Sequence, residues 1–160
     1  MRDQSVSDGL ERRRAEGAAG AEKIRILYAE GYDLVLFPAK QLLEAEGWVV
    51  EVCRDGAAAL KKIEGEEHFD LLILDGRLGG ASSVELIGRA RQTTRLRATP
   101  IVMFSAQQCD APTGSLTADA YLSKPGGLKN LVATCRRLLP QAVGQARPDA
   151  PSAGPGEPAD

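Results

Sequence analysis

Residues 70–76, DLLILDG, place four consecutive large aliphatic side chains between two acids and end in a glycine. A short apolar run without polar alternation is typical of a strand that is covered on both faces of a parallel sheet. Such a strand brings its final acid, Asp75, to the carboxyl edge of the sheet, where open α/β folds bind their ligands. An Asp-Gly pair also commonly begins a simple turn, so the role of Asp75 depends on which other residues reach the same edge.

Similar apolar runs recur along the chain, with helical spacing of apolar residues between them. They predict strands at residues 23–29, 48–53, 71–75, 100–105 and 120–123. Helices are predicted after the first, second, third and fifth strands, and Asp55 and Ser82 are candidate N-terminal caps. Pro38 lies in the first helix, which is therefore predicted either to begin near Leu36 or to be kinked. This alternation indicates an α/β fold with one doubly wound, five-stranded parallel sheet.

The composition predicts a protein without a strong overall electric field. The 160 residues include 22 acids and 20 Lys or Arg, for a net charge of −2, so no global field recruits nucleic acid or an anionic membrane. No apolar run approaches the roughly 20 residues of a membrane helix, and the N-terminus lacks the apolar core of a signal peptide. We therefore expect a cytoplasmic protein that recognises its partners through local surfaces.

The two ends of the sequence differ from the middle. Residues 1–22 lack sustained apolar periodicity and are predicted to be disordered, and residues 23–139 form the predicted domain. Residues 140–160 hold five of the nine prolines together with Ala, Gly and Ser, which predicts a flexible tail. Such a tail is too short and too polar for a DNA-binding output domain, so we expect the domain to stand alone.

Polar side chains follow four of the five predicted strands directly: Glu30, Asp75, Ser105 and Lys124. The carboxyl ends of parallel strands meet at one edge, so these side chains are expected to converge. A carboxylate can attack phosphorus to form an acyl phosphate when nearby groups neutralise the phosphoryl oxygens. Lys124 can pair with such an oxygen, and Ser105 can donate a hydrogen bond to it. Glu30, Asp75 and the backbone carbonyl of Arg77 offer the oxygen ligands that Mg²⁺ prefers.

In their order and spacing, five motifs resemble the receiver domain of two-component response regulators over about residues 23–139. They are ILYAE (26–30), LLEAEGWVVEVCRDGAAAL (42–60), LLILD (71–75), IVMFSA (101–106) and DAYLSKP (119–125). The resemblance implies a flavodoxin-like, CheY-like sheet in the order 2-1-3-4-5 and often a cis Lys124-Pro125 bond.

The resemblance also implies a function. Asp75 is expected to accept a phosphoryl group from a histidine kinase or phosphotransfer protein, and the domain then to signal through a downstream protein partner. Tyr121 matches the switch residue of the family, which packs inward as the Ser105 hydroxyl turns towards the phosphoryl group; by itself it is an ordinary half-buried strand residue. Beyond self-phosphorylation and self-dephosphorylation at Asp75, no enzymatic activity is expected.

Several positions depart from the family pattern. Gly31 stands where the second acid of the family binds magnesium directly, so binding of Mg²⁺ is expected to be weak. Gly79 and Gly126 replace a common proline and a common bulky residue. The interval from Ser105 to Lys124 is about three residues shorter than usual, which predicts a short, late or irregular helix within it.

These departures leave two main alternatives open. In the first, the chain is a receiver that is phosphorylated on Asp75; in the second, it is a degenerate pseudo-receiver that binds partners without phosphorylation. A small phosphatase with an aspartyl nucleophile is a third alternative. It is disfavoured because such enzymes usually place a second acid where this chain has Arg77.

Overall fold

The computed structural model describes residues 23–106 and 118–144, with side chains as far as Leu139. Its elements are β1 (Arg25–Ala29), α1 (Asp33–Glu44), β2 (Val49–Cys53), α2 (Gly56–Glu64), β3 (Leu71–Leu74), α3 (Ser83–Gln92), β4 (Ile101–Ser105), β5 (Ala120–Ser123) and α4 (Leu128–Gly144). The predictions for residues 1–22, for residues 145–160 and for the helix between β4 and β5 lie outside the described residues. Helix α4 extends past residue 139, where the domain was predicted to end.

The five strands form one parallel sheet in the order β2-β1-β3-β4-β5, which confirms the predicted fold class. β3 lies at its centre, and all four of its residues are fully buried. A central parallel strand covered on both faces explains why its sequence is continuously apolar. Within the described part of the chain, no helix has the length and apolar character needed to cross a membrane.

Side chains that alternate along the strands build two separate cores. Leu27 and Leu72 belong to the core between the sheet and helices α2 and α3. Tyr28 and Ile73 belong to the core on the opposite face, beneath α1 and α4. Because alternate residues point to opposite faces, a residue just after a strand can be assigned to one of these two faces.

Helix α1 begins earlier than one of the two alternatives predicted. Its first residue is Asp33, so the start near Leu36 is wrong, and Pro38 is an interior residue. Proline lacks the N–H that would bond to the carbonyl of Leu34. The Leu34 side chain is 74% exposed, so this side of the helix faces solvent, where water can satisfy that carbonyl. Leu36 and Leu43 are buried in the core.

Two other helices begin at the predicted caps. The Asp55 carboxylate accepts a hydrogen bond from the backbone N–H of Ala58 at 2.7 Å. The Ser82 hydroxyl accepts one from the backbone N–H of Glu85 at 3.2 Å. Each cap satisfies a donor that the first helical turn leaves without a partner, and so fixes where the connection after β2 or β3 ends.

Four charged side chains form a network at the amino end of the sheet. Arg25 pairs with Glu51 at 3.0 Å and with Glu67 at 2.8 Å, and Lys62 pairs with the same two acids, lying 2.7 Å from Glu67. Hydrogen bonds from Lys62 and then Arg25 lower the pKa of Glu67 from 4.5 to about 2. All four side chains are partly exposed, so solvent screens the network and its contribution is modest.

Glu67→Gln is expected to lower the melting temperature slightly at neutral pH. The folded-state pKa of Glu67 lies below the ordinary value, so its stabilisation is complete above about pH 4.5 and is lost as the pH falls through about 2. The melting temperatures of the native chain and the variant should therefore converge between these two pH values. The exposed neighbour Glu66 supplies the control Glu66→Gln. An equal effect of the two substitutions, or a difference that persists at pH 2, would contradict this assignment.

Candidate functional site

Three charged side chains meet at the carboxyl edge of the sheet. The Lys124 ammonium pairs with the Glu30 carboxylate, and its Nζ lies 3.1 Å from Oδ1 of Asp75. The side chains of Glu30, Lys124 and Asp75 are only 1%, 8% and 11% exposed. Of the four residues expected at this edge, these three are therefore in direct contact. A buried cation shared between two carboxylates leaves one net negative charge and little contact with water.

Backbone hydrogen bonds fix both carboxylates at the ends of their strands. Glu30 continues β1, and its N–H donates to the carbonyl of Cys53 at 2.9 Å. Its Oε1 accepts a hydrogen bond from the N–H of Tyr32 at 2.9 Å, so Tyr32 and Lys124 engage different oxygens of Glu30. Asp75 continues β3, and its N–H donates to the carbonyl of Ala29 at 3.0 Å. The sheet itself thus sets the spacing of the two acids.

Lys124 reaches both acids from the far edge of the sheet. Its N–H donates to the carbonyl of Ser105 at 2.8 Å, which extends the β4–β5 pairing by one step. Its Nζ lies 5.4 Å from the centre of the Phe104 ring, within range of a cation–π attraction. The bond from Lys124 to Pro125 is cis, as the family resemblance implied. Lys124 therefore lies at the predicted edge, and its contact with the Phe104 ring is one that sequence spacing did not indicate.

Ser105 and Tyr121 lie on the other side of the sheet edge. Ser105 is buried at the end of β4 and alternates with Met103, which is the register partner of Tyr121 in β5. Both positions thus fall on the side of α2 and α3. Tyr121 is 38% exposed, and its hydroxyl accepts a hydrogen bond from the N–H of Ala118 at 3.2 Å. The residue is thus exposed rather than half-buried here, and the inward-packed arrangement implied by the family stays a prediction.

The oxygen atoms at this edge of the sheet can be compared with the ligands that Mg²⁺ prefers. Within residues 23–106 and 118–144, no cluster of three or more His, Cys, Asp or Glu side chains could hold a metal ion. The available acids are Glu30 and Asp75, and the exposed Arg77 lies two residues further along the connection that follows β3. Two carboxylates, a carbonyl and waters suit magnesium, so the residues fit. Lys124 already pairs with both acids, however, and the ion must compete with its ammonium.

Gly31 is exposed at the position where the family places its second acid, but it leaves little room for a side chain. A Cβ atom at this position would lie 2.9 Å from the backbone oxygen of Arg54, so any larger residue requires a small shift of the chain. Asp33, two residues further along, pairs with the Arg54 guanidinium. That guanidinium also lies 5.7 Å from the centre of the Phe37 ring. Asp33 is thus paired with Arg54 at the rim of the site, and sequence spacing did not indicate this ion pair.

Tyr28 is another residue near the site that sequence spacing did not indicate. Its side chain is fully buried in the core under α1 and α4, and its hydroxyl has no hydrogen-bond partner among the described residues. Burial raises the pKa of this hydroxyl well above its usual range, and the negative charges of Glu30 and Asp75 raise it further. The available signal was a tyrosine within an apolar strand, two residues before Glu30 and therefore on the same face.

Comparisons with known proteins agree with this geometry. A family model described as the response regulator receiver domain matches residues 16–136. The transcriptional regulatory protein TrcR of Mycobacterium tuberculosis is 33% identical over 133 residues, covering 81% of this chain and 51% of that protein. This chain thus spans about half the length of that relative.

Two solved structures share the fold over most of this chain. A CheY-like response regulator receiver domain protein of Methanospirillum hungatei is 25% identical with a TM-score of 0.66, covering 78% of this chain and 100% of that one. The receiver domain of a sensor histidine kinase of Pseudomonas aeruginosa is 22% identical with a TM-score of 0.64, covering 74% of this chain and 99% of that one. The topology observed here is therefore that of experimentally determined receiver domains.

Proposed function

Because the chain belongs to the response regulator receiver domain family, we propose that it accepts a phosphoryl group on Asp75 and signals by changing its affinity for a protein partner. The observation that carries this proposal is the buried contact between Lys124 and Asp75 at the carboxyl edge of the sheet, 3.1 Å between Nζ and Oδ1. An acid held beside an ammonium has both the nucleophile and the positive charge that phosphoryl transfer requires.

The proposed donor is a phosphohistidine on a histidine kinase or phosphotransfer protein. An Asp75 oxygen attacks phosphorus, a P–O bond forms as the P–N bond breaks, and the electron pair of that bond returns to the imidazole. Lys124 pairs with a phosphoryl oxygen and Ser105 donates a hydrogen bond to another, so both stabilise charge in the transition state. Burial of the site excludes water and strengthens these interactions. Beyond this self-phosphorylation and its reversal by water, we propose no enzymatic activity.

Mg²⁺ is the proposed cofactor, held by Glu30, Asp75 and the carbonyl of Arg77. When bound, it supplies positive charge to the phosphoryl oxygens. The receiver domain from Pseudomonas aeruginosa was solved with a magnesium ion coordinated in its active-site cleft, which supports this cofactor for the family. Binding here is proposed to be weak, because Gly31 contributes no carboxylate and Lys124 pairs with both of the acids present.

The proposed downstream partner is a protein. TrcR is by name a transcriptional regulatory protein, and this chain matches about half of it. The expected absence of a nucleic-acid or membrane partner, like the expected cytoplasmic location, stays a prediction for this chain. We place recognition of the partner on the folded domain, because phosphorylation changes charge there.

A pseudo-receiver that binds its partner without phosphorylation is the second candidate. The specific observation in its favour is that Lys124 already pairs with both Glu30 and Asp75, so each acid has a cationic partner without a metal ion. The absence of an acid at Gly31 also favours a pseudo-receiver. The two candidates make opposite predictions about phosphoryl labelling.

Incubation with Mg²⁺ and a small phosphodonor such as acetyl phosphate separates these candidates. Measured by intact mass, the native chain is expected to gain one phosphoryl group, because Asp75 needs only a cation and an aligned donor. Peptide mapping should then locate that group on residues 71–75. A native chain that gains no mass at millimolar donor and Mg²⁺ would overturn the proposal and favour the pseudo-receiver.

A further inference from the structure

The Tyr28 hydroxyl is a buried polar group that the proposed function has not used. The side chain is 0% exposed, and its hydroxyl forms no hydrogen bond with any of the described residues. Buried hydroxyl groups in folded proteins nearly always have a partner, because leaving one without a hydrogen bond is unfavourable. Phenylalanine would fill the same volume without this penalty. A tyrosine at this position therefore suggests that its hydroxyl has a partner in another state of the site.

The strand geometry places Tyr28 next to the two carboxylates. Tyr28 and Glu30 are two residues apart along β1, so their side chains lie on the same face. The register partner of Tyr28 in β3 is Ile73, which is two residues before Asp75 and on that same face. Burial raises the pKa of the Tyr28 hydroxyl, and the negative charges of Glu30 and Asp75 raise it further, which agrees with this placement.

Phosphorylation would change the hydrogen bonds available to Glu30. In this structure the Glu30 carboxylate accepts from the N–H of Tyr32 and from the Lys124 ammonium. A phosphoryl group on Asp75 attracts the ammonium, because it carries more negative charge than the carboxylate it replaces. Glu30 then loses its ammonium donor while it remains fully buried, and the weakly bound Mg²⁺ of the proposed function leaves it short of partners whenever the ion is absent. A buried carboxylate with too few donors destabilises the state that contains it.

We propose that Tyr28 is a positioning residue whose hydroxyl donates a hydrogen bond to Glu30 in the phosphorylated form, when Lys124 turns towards the phosphoryl group. The tyrosine ring remains packed in the core under α1 and α4, and the hydroxyl at its tip makes the new hydrogen bond. The proposal rests on the proposed phosphorylation of Asp75. It predicts a residue that stabilises the phosphorylated state and contributes little to the unmodified one.

The test is Tyr28→Phe, which removes one oxygen atom. Without donor, the thermal unfolding of the variant should match or exceed that of the native chain, because a hydroxyl without a partner is lost. At a fixed concentration of phosphodonor and Mg²⁺, the ratio of phosphorylated to unmodified protein should fall at least about tenfold, from the loss of one hydrogen bond to a charged group. A purely structural role would instead lower the melting temperature of the unmodified protein.

Glu30→Gln supplies the second arm as a double-mutant cycle. If Tyr28 acts through the Glu30 charge, Tyr28→Phe should change that ratio less than about twofold in the Glu30→Gln background. If the native chain is not phosphorylated, the proposed function is wrong and this inference is wrong with it. If the native chain and Tyr28→Phe are phosphorylated equally, this inference alone is wrong. An effect of Tyr28→Phe that is equally large in the Glu30→Gln background also overturns it, because the hydroxyl then acts on another group.

Discussion

Asp75→Asn is expected to reduce phosphoryl labelling of the chain to background while leaving the domain folded. The asparagine amide has nearly the same shape as the carboxylate, but its oxygen is not nucleophilic enough to attack phosphorus. Lys124 retains Glu30 as an ion-pair partner, so no buried ammonium is left without a counter-charge. Intact mass after incubation with Mg²⁺ and acetyl phosphate measures the first effect, and thermal unfolding measures the second.

A matched control exists at the rim of the same site. Asp33 is also an acid near the carboxyl edge, but it is 58% exposed and pairs with Arg54. Asp33→Asn should therefore leave labelling nearly unchanged. If labelling persists in Asp75→Asn, Asp75 is not the phosphoacceptor. The buried acid Glu30 would then be the next candidate. Loss of labelling in both variants would point instead to a general effect of charge.

Much of the fold could be predicted because local signals and sheet geometry agree. The apolar run of β3 is continuous because both of its faces are buried. Asp55 and Ser82 are good N-terminal caps in any context, and both were observed as caps. The parallel arrangement then dictates that Glu30, Asp75, Ser105 and Lys124 lie at one edge of the sheet, without any knowledge of their side-chain contacts.

The contacts within the site could not be predicted in the same way. Lys124 is 94 residues from Glu30, and their pairing depends on a side chain that crosses the edge of the sheet over Phe104. The Tyr28 hydroxyl is notable only because the structure places no partner near it among the described residues. Pro38 by itself predicts a later helix start or a kink, yet it lies at an interior position on the exposed side of α1. Each case is decided by tertiary surroundings rather than by sequence spacing.

Gly31→Asp is expected to bind Mg²⁺ at least about tenfold more tightly than the native chain, a gain of about 1.4 kcal/mol. The substitution adds a third carboxylate at the rim, and attraction to a divalent ion grows with the number of charged oxygen ligands. It also strengthens the ability of the ion to compete with Lys124 for Glu30 and Asp75. Titration of both proteins with MgCl₂ by calorimetry measures the affinities, and labelling of Asp75 at low Mg²⁺ should become faster in the variant.

The structure also indicates what opposes this gain. A Cβ atom at residue 31 lies 2.9 Å from the Arg54 carbonyl oxygen, so the chain must shift, and the added carboxylate repels Glu30 and Asp75 when no metal is bound. Gly31→Ala has the same Cβ without the charge, so the difference between the two variants isolates the carboxylate. Tight binding by the native chain together with no difference between Gly31→Asp and Gly31→Ala would show that residue 31 does not face the metal. The alignment of Glu30 and Gly31 with the two acids of the family would then be wrong.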